Sequence, residues 1–345
     1  MARLIELVDD LSAILGDYRL HEDGAIVTPE RVEKWVNQFG AYGLDREDKK
    51  KILSEMSLIM KSRYLRRSKV KRILKTMIFE EKILGPIKDL RSVNFLRLQS
   101  VGRSQADLLL IVDEILQEEK GFTTSDCGGG NTYFYLDDCL YTGNRFKYEL
   151  SDWIRSKSSA GNLLVTCHLA IHKQGELYAM GEVNNLALAK DVDFKAFTRC
   201  HFDNSRCAGC LPATLWPREI DDSRVVRYAD KISAEIMRQR GFGPVLFRRA
   251  SGVQDKLFSS TENRDLVEGA FLRAGTDLIL AADKPAPSMR PLGFEVLTSL
   301  GFGAMFATYR NIANNCPLVL WYGDPENYPK SHTLSRWLPL LPRKI

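Results

Sequence analysis

The sequence predicts an α/β fold: a doubly wound, mostly parallel sheet that follows an N-terminal helical domain. Three observations carry this expectation. Up to about Gly85, apolar residues recur at spacings of three and four, the period of an amphipathic helix. After Pro86, short apolar runs alternate with amphipathic stretches and short loops, the pattern of repeated β-α-β units. The chain has 345 residues, 44% hydrophobic and 27% charged, enough for one large or two ordinary cores, which excludes a disordered or fibrous protein. The change of period gives two expected domains, a helical one over 1–88 and an α/β one over 89–345 with a C-terminal elaboration.

In the helical part, Thr28-Pro29-Glu30-Arg31 reads as an N-cap, a first-turn proline and an acid, opening a helix with Val32, Trp35, Val36 and Phe39 on one face. Gly40 to Gly43 ends it. Further helices are expected from Arg46 to Met60 and from Ser68 to Glu81, and short helices joined by tight turns give a winged-helix-like arrangement. The net charge of +5 sits here: Lys61, Arg63, Arg66, Arg67, Lys69, Lys71, Arg72 and Lys75 fall in one run with no acidic residue. Two readings stand side by side, a solvated helix face and a contact to the phosphates of DNA or RNA.

In the second part, Val93 to Leu98 reads as a strand and Gln105 to Glu119 as a helix with Leu108, Leu109, Ile111, Val112 and Ile115 inward. Gly121 to Thr132, with its four glycines, is expected to be a mobile loop. Tyr133 to Leu136 and Leu163 to Ile171 read as strands, with a helix from Phe146 to Arg155 between them. Beyond these come expected helices at Ser223 to Arg240 and Asn263 to Arg273, then strands near Asp277 to Ala281, Gly303 to Thr308 and Leu318 to Tyr322.

The chemistry is expected at Tyr133-Phe134-Tyr135-Leu136-Asp137-Asp138-Cys139-Leu140-Tyr141-Thr142-Gly143-Asn144-Arg145-Phe146, a strand that runs into paired carboxylates, a Thr-Gly turn and a helix. Backbone N–H groups at the helix start and the Thr142 hydroxyl suit a phosphate, and carboxylates accept hydrogen bonds from sugar hydroxyls. A second loop, Phe95 to Asp107, repeats the order of strand, small polar turn and helix. The alternative for the acid pair is a turn that only caps the following helix.

This stretch resembles the phosphoribosyl pyrophosphate (PRPP) motif of the type I phosphoribosyltransferases. The resemblance implies that Asp137 and Asp138 are the catalytic pair facing the ribose 2- and 3-hydroxyls, with Tyr141, Thr142, Gly143, Asn144 and Arg145 around the 5-phosphate. It also implies a pyrophosphate loop at Ser100, Gly102, Arg103 and Ser104, Mg²⁺ bound with the diphosphate of PRPP or a related nucleotide, and Gly121 to Thr132 as a lid. Asn144 and Arg145 depart from the motif, where a second Gly and a Thr or Ser are usual.

Trp35 to Phe39, Ser104 to Asp107, Leu215-Trp216-Pro217, Pro291 to Phe294, Asn314 to Trp321 and Trp337 to Arg343 are similar to the phosphoribosyltransferase-like effectors of bacterial conflict systems, including retron-associated ones. That resemblance implies a defence effector or toxin with a type I phosphoribosyltransferase fold. Its alternatives are a ligand-responsive DNA-binding regulator without turnover, and a subunit docked to a ribonucleoprotein such as a retron reverse transcriptase with its DNA.

Cys200, Cys207 and Cys210 form the one zinc-like spacing, against the reading of reduced thiols in a loop. His168 and His172, four apart on an expected strand, read as satisfied core histidines. Seven cysteines, odd in number, argue against a disulfide framework. With no apolar leader and no run near the length of a membrane span, the expected protein is cytoplasmic and has no membrane partner.

Overall fold

The computed structural model describes residues 3–24, 26–84, 90–99, 102–206, 211–249, 255, 257–295 and 299–343. In chain order the elements are α1 (Leu4–Leu15), α2 (Leu20–Asp23), α3 (Pro29–Asn37), α4 (Arg46–Arg63), β1 (Tyr64–Leu65), α5 (Arg67–Phe79), α6 (Glu81–Leu84), β2 (Asn94–Phe95), α7 (Ser104–Lys120), β3 (Thr132–Leu140) and α8 (Asn144–Ser156). They continue as β4 (Leu163–His172), α9 (Lys173–Ala189), β5 (Asp193–Phe202), α10 (Ser223–Arg240), α11 (Thr261–Ala281), β6 (Ala307–Thr308) and α12 (Leu318–Trp321). The chain forms two compact units: Met1–Arg67 together with Ser205–Ile345, and Ser68–Asn204. This partition is drawn differently from a boundary near 88, since α5 and α6 fall in the second unit.

In the first unit, Thr28 caps α3 as its sequence requires, its side chain accepting from the Arg31 N–H at 3.2 Å. The face that α3 presents is aromatic. Trp35 and Phe39 are fully buried and meet Phe271 of α11, while Phe39 meets the Trp337 ring edge-on at 5.3 Å. Both indoles donate to one carbonyl, that of Val319, at 2.9 and 2.8 Å. β1 pairs in parallel with β6, Tyr64 opposite Ala307, and no antiparallel wing occurs among the described residues of 1–88.

The same unit corrects three sequence expectations. Asp277 to Ala281 is the last turn of α11 and not a strand, because a five-residue apolar run does not distinguish the two states. Leu318 to Tyr322 is the short helix α12, and only Ala307–Thr308 of the expected strand 303–308 pairs. Arg264, fully buried in α11, is held by Glu268 at 2.8 Å and by the Thr214 carbonyl at 2.6 Å. That arrangement satisfies a charge whose burial alone would be costly.

The second unit is built on a four-stranded parallel sheet in the order β2-β3-β4-β5. β4 is apolar almost throughout and buried over nine of its ten residues, as a central parallel strand should be. α8 and α9 pack with β3 and β4 in one core around Tyr135, Leu140, Phe146, Leu150, Trp153 and Val183. The strand order is sequential. It contains no reversal of the kind that defines the switch point of a doubly wound sheet, so the parallel sheet is as expected but the double winding is absent among the described strands.

The glycine-rich loop before β3, expected as a mobile lid, is tied to residues 91–94 by hydrogen bonds. The Gly128 N–H donates to the Arg91 carbonyl at 2.6 Å and Gly130 to Ser92 at 3.0 Å, and the Asn94 amide donates to the Gly130 and Thr132 carbonyls. It also leads into the amino end of β3, whereas the acid pair lies toward the carboxyl end.

Candidate functional site

The acid pair is in the second unit, toward the carboxyl end of β3. Strand alternation divides its roles. Asp137 is buried, and Asp138 is half-buried with Oδ1 accepting from the Cys139 N–H at 2.7 Å. The strand itself runs on through Leu140, beyond the end expected at Leu136.

Asp137 is the node where the two expected loops meet. Ser104 Oγ, at the start of α7, donates to Asp137 Oδ1 at 2.7 Å, and the Gln99 amide lies 3.3 Å from both carboxylate oxygens. Arg145, in the first turn of α8, reaches Oδ2 at 3.5 Å. Gln99 and Gln105 clasp the first loop from both sides: Gln105 Oε1 accepts from the Leu98 and Gln99 N–H groups, and Gln105 N–H donates to Gln99 Oε1. Gly102 has φ +93°, and a Cβ there would lie 3.3 Å from Arg145, so the two loops touch at this residue.

The turn between β3 and α8 depends on a second glycine. Gly143 has φ +77°, and a Cβ would come within 2.4 Å of the Ala179 Cβ and 2.8 Å of the Gly175 carbonyl. The turn is thereby pressed against the first turns of α9, and α8 starts at Asn144, where the N–H groups of a helix's first turn have no acceptor within the helix. Tyr141, Thr142 and Asn144 are half-buried, and Arg145 is about half exposed, its side chain at 49%.

The electrostatics follow from burial. Desolvation, with Asp138 beside it, pushes the Asp137 carboxyl up to about 6, although Arg145 and the Ser104 hydroxyl oppose the shift. Burial also raises Glu149, which accepts from the Tyr135 hydroxyl at 3.1 Å. His168, in register with Asp137 on β4, lies against the rings of Tyr135 and Phe146. Neither of its ring nitrogens has a hydrogen-bond partner, and burial lowers it to about 4, so it is a neutral core histidine but not a satisfied one. His172 differs: Cys139 Sγ is 3.7 Å from its Nδ1, and Tyr141 stacks on its ring.

Of the expected site residues, Gly102, Ser104, Asp137 and Arg145 converge, while Asp138 and 141–144 follow in the same strand and turn. Arg103 is turned out and lies 3.7 Å from Asp107. Ser100, Cys207 and Cys210 are outside the described residues. Cys200 lies on β5, and His201 pairs with Glu176 at 2.5 Å. No group of three or more metal-ligating side chains occurs among the described residues. Gln99, Gln105, Tyr135 and Glu149 were not anticipated, since glutamines in a loop and a tyrosine within an apolar strand carry no motif.

The basic run is largely engaged. Lys61 pairs with Asp10 at 3.0 Å, Arg66 donates to the last carbonyls of α1, Lys71 pairs with Glu118 at 2.6 Å, and Lys75 pairs with Glu119. Lys61, Arg63, Arg66 and Arg67 belong to the first unit, and Lys69, Lys71, Arg72 and Lys75 to the second.

A family model described as PRTase-CE matches residues 32–343, nearly the whole chain. The chain belongs to the PRTase-CE family. The match spans both compact units. No curated protein and no solved structure matches this PRTase-CE chain. The parallel α/β architecture agrees with a phosphoribosyltransferase-like family, and no described helix is long and apolar enough to cross a membrane.

Proposed function

We propose that this PRTase-CE protein is an effector of anti-phage defence that binds a ribose-phosphate ligand of the PRPP type and acts at ribose C1. The observation that carries the reading is the meeting of two loops on Asp137 at the carboxyl end of a parallel strand, where α/β sheets bind their ligands. The first turn of α8, with Thr142 and Arg145, is suited to the 5-phosphate. Asp138 is the carboxylate available to ribose hydroxyls. Asp137, surrounded by donors of its own, is better fitted to hold the loops around that ligand.

The donor set fits Mg²⁺ only in company with a diphosphate. One half-buried carboxylate and ligand oxygens make the kind of site this ion takes, and a bound Mg²⁺ would neutralise the departing diphosphate. The chain's own part is to fix the ribose, and the positive end of α8 and Arg145 offset the charge of the phosphate it carries.

Calorimetric titration of PRPP with Mg²⁺ into the full-length protein tests this. Binding to the unaltered chain, weakened at least ten-fold by Asp138→Asn at unchanged thermal stability, is the expected result. Equal affinity in that variant would overturn the assignment. Loss of cellular toxicity in Asp138→Asn tests the effector role separately.

A further inference from the structure

A second surface belongs to the first unit, whereas every residue of the proposed sugar-phosphate site belongs to the second. α10 spans 18 residues, and Arg227, Lys231 and Arg238 stand four and seven positions apart, hence on one helical face about 16 Å long. All three are exposed. The helix ends at Gly241, φ +75°, and the next residue is Phe242, about half exposed at 53%, with Gly243 after it. Arg240, also exposed, stands just before the turn. None of these four cations forms an ion pair among the described residues. They thus differ from the Lys61–Lys75 run, whose charges are largely used internally.

We infer that the outer face of α10 and the Phe242 turn bind single-stranded nucleic acid. A strand carries one phosphate every few ångströms, and a row of unpaired cations about 16 Å long matches several of them. Phe242, on a turn between two glycines, presents a ring on which an unpaired base can stack, and a duplex offers no such base in its interior. A membrane surface fits less well. The exposed apolar residues Val226 and Met237 share one side of α10 with the exposed Asp230 between them, which breaks any continuous apolar face.

The test is fluorescence anisotropy of a labelled 20-nucleotide oligothymidylate with the full-length protein across a salt series. Binding is expected with a log–log salt slope of about −2 to −3, that of three or four released counterions. Joint Arg227→Gln, Lys231→Gln and Arg238→Gln substitution should abolish binding at physiological salt. Phe242→Ala should weaken it roughly ten-fold and leave the salt slope unchanged. Unaltered affinity in both variants would overturn the inference. So would loss of binding on Lys61→Gln, Arg63→Gln, Lys69→Gln and Arg72→Gln alone, or binding to anionic vesicles but not to the oligonucleotide.

Discussion

At the scale of single residues, the two neighbouring aspartates differ in surroundings, Asp137 buried among donors and Asp138 half-buried. Asp137 accepts from Ser104 Oγ and from the Asp138 N–H and lies near Gln99 and Arg145, so Asp137→Asn sets an amide N–H against groups that already donate. A loss of about 1–3 kcal/mol of stability is expected, measured by urea unfolding, with none for Asp138→Asn. His168 gives a second prediction. Its folded value is about 4 against 6.5 unfolded, so between those pH values the unfolded chain holds a proton that the fold excludes, and stability falls as pH drops. Asp137 runs the other way: pushed up to about 6 from 3.8, it keeps a proton in the fold that the unfolded chain releases, and its contribution falls as pH rises through that window. In His168→Leu the Asp137 trend remains, with Glu149 and Glu268, also raised by burial, acting in the same direction. Urea midpoints at pH 4.5, 5.5 and 6.5 should then decrease with pH, and a midpoint that still rises would contradict the pairing.

At the scale of elements, Gly143 ties the turn before α8 to α9. Gly143→Ala meets both a left-handed backbone and a neighbouring methyl, and is expected to cost about 2–4 kcal/mol in the same measurement. Elements with a clear period or a strong cap were legible in the sequence: the Thr28-Pro29 start of α3, the apolar stripes of α4, α5 and α7, and the buried runs of β3 and β4. α9 was hidden because glycines, alanines and asparagines dilute its apolar face, and β5 because an edge strand exposed at Asp193, Ala196, Arg199 and His201 has no clean alternation. The acid pair and Thr-Gly turn were legible as a motif. That one aspartate is a buried strut was not, because its partners Gln99 and Ser104 come from a loop more than thirty residues earlier.

At the scale of the molecule, the second unit is one continuous stretch, whereas the first is made of both ends of the chain. Residues 68–204 contain the whole four-stranded sheet and the Asp137 cluster. Expressed alone, this segment should unfold in one cooperative step in urea, followed by circular dichroism, and should retain PRPP binding. Residues 1–67 alone should give no cooperative transition, because Trp35 and Phe39 of α3 pack on Phe271 and Trp337.

The shared carbonyl of Val319, to which both Trp35 and Trp337 donate, has a consequence for biosynthesis. The ribosome emits α3 long before either of its aromatic partners, and at about 5–20 residues per second that interval is on the order of ten seconds or more. Throughout it the sheet unit can close, while the α3 aromatics stay open to chaperones. A message cut short after residue 204 would therefore release a finished sheet unit attached to an unfinished, adhesive helix, a product marked for degradation by its own exposed tryptophan.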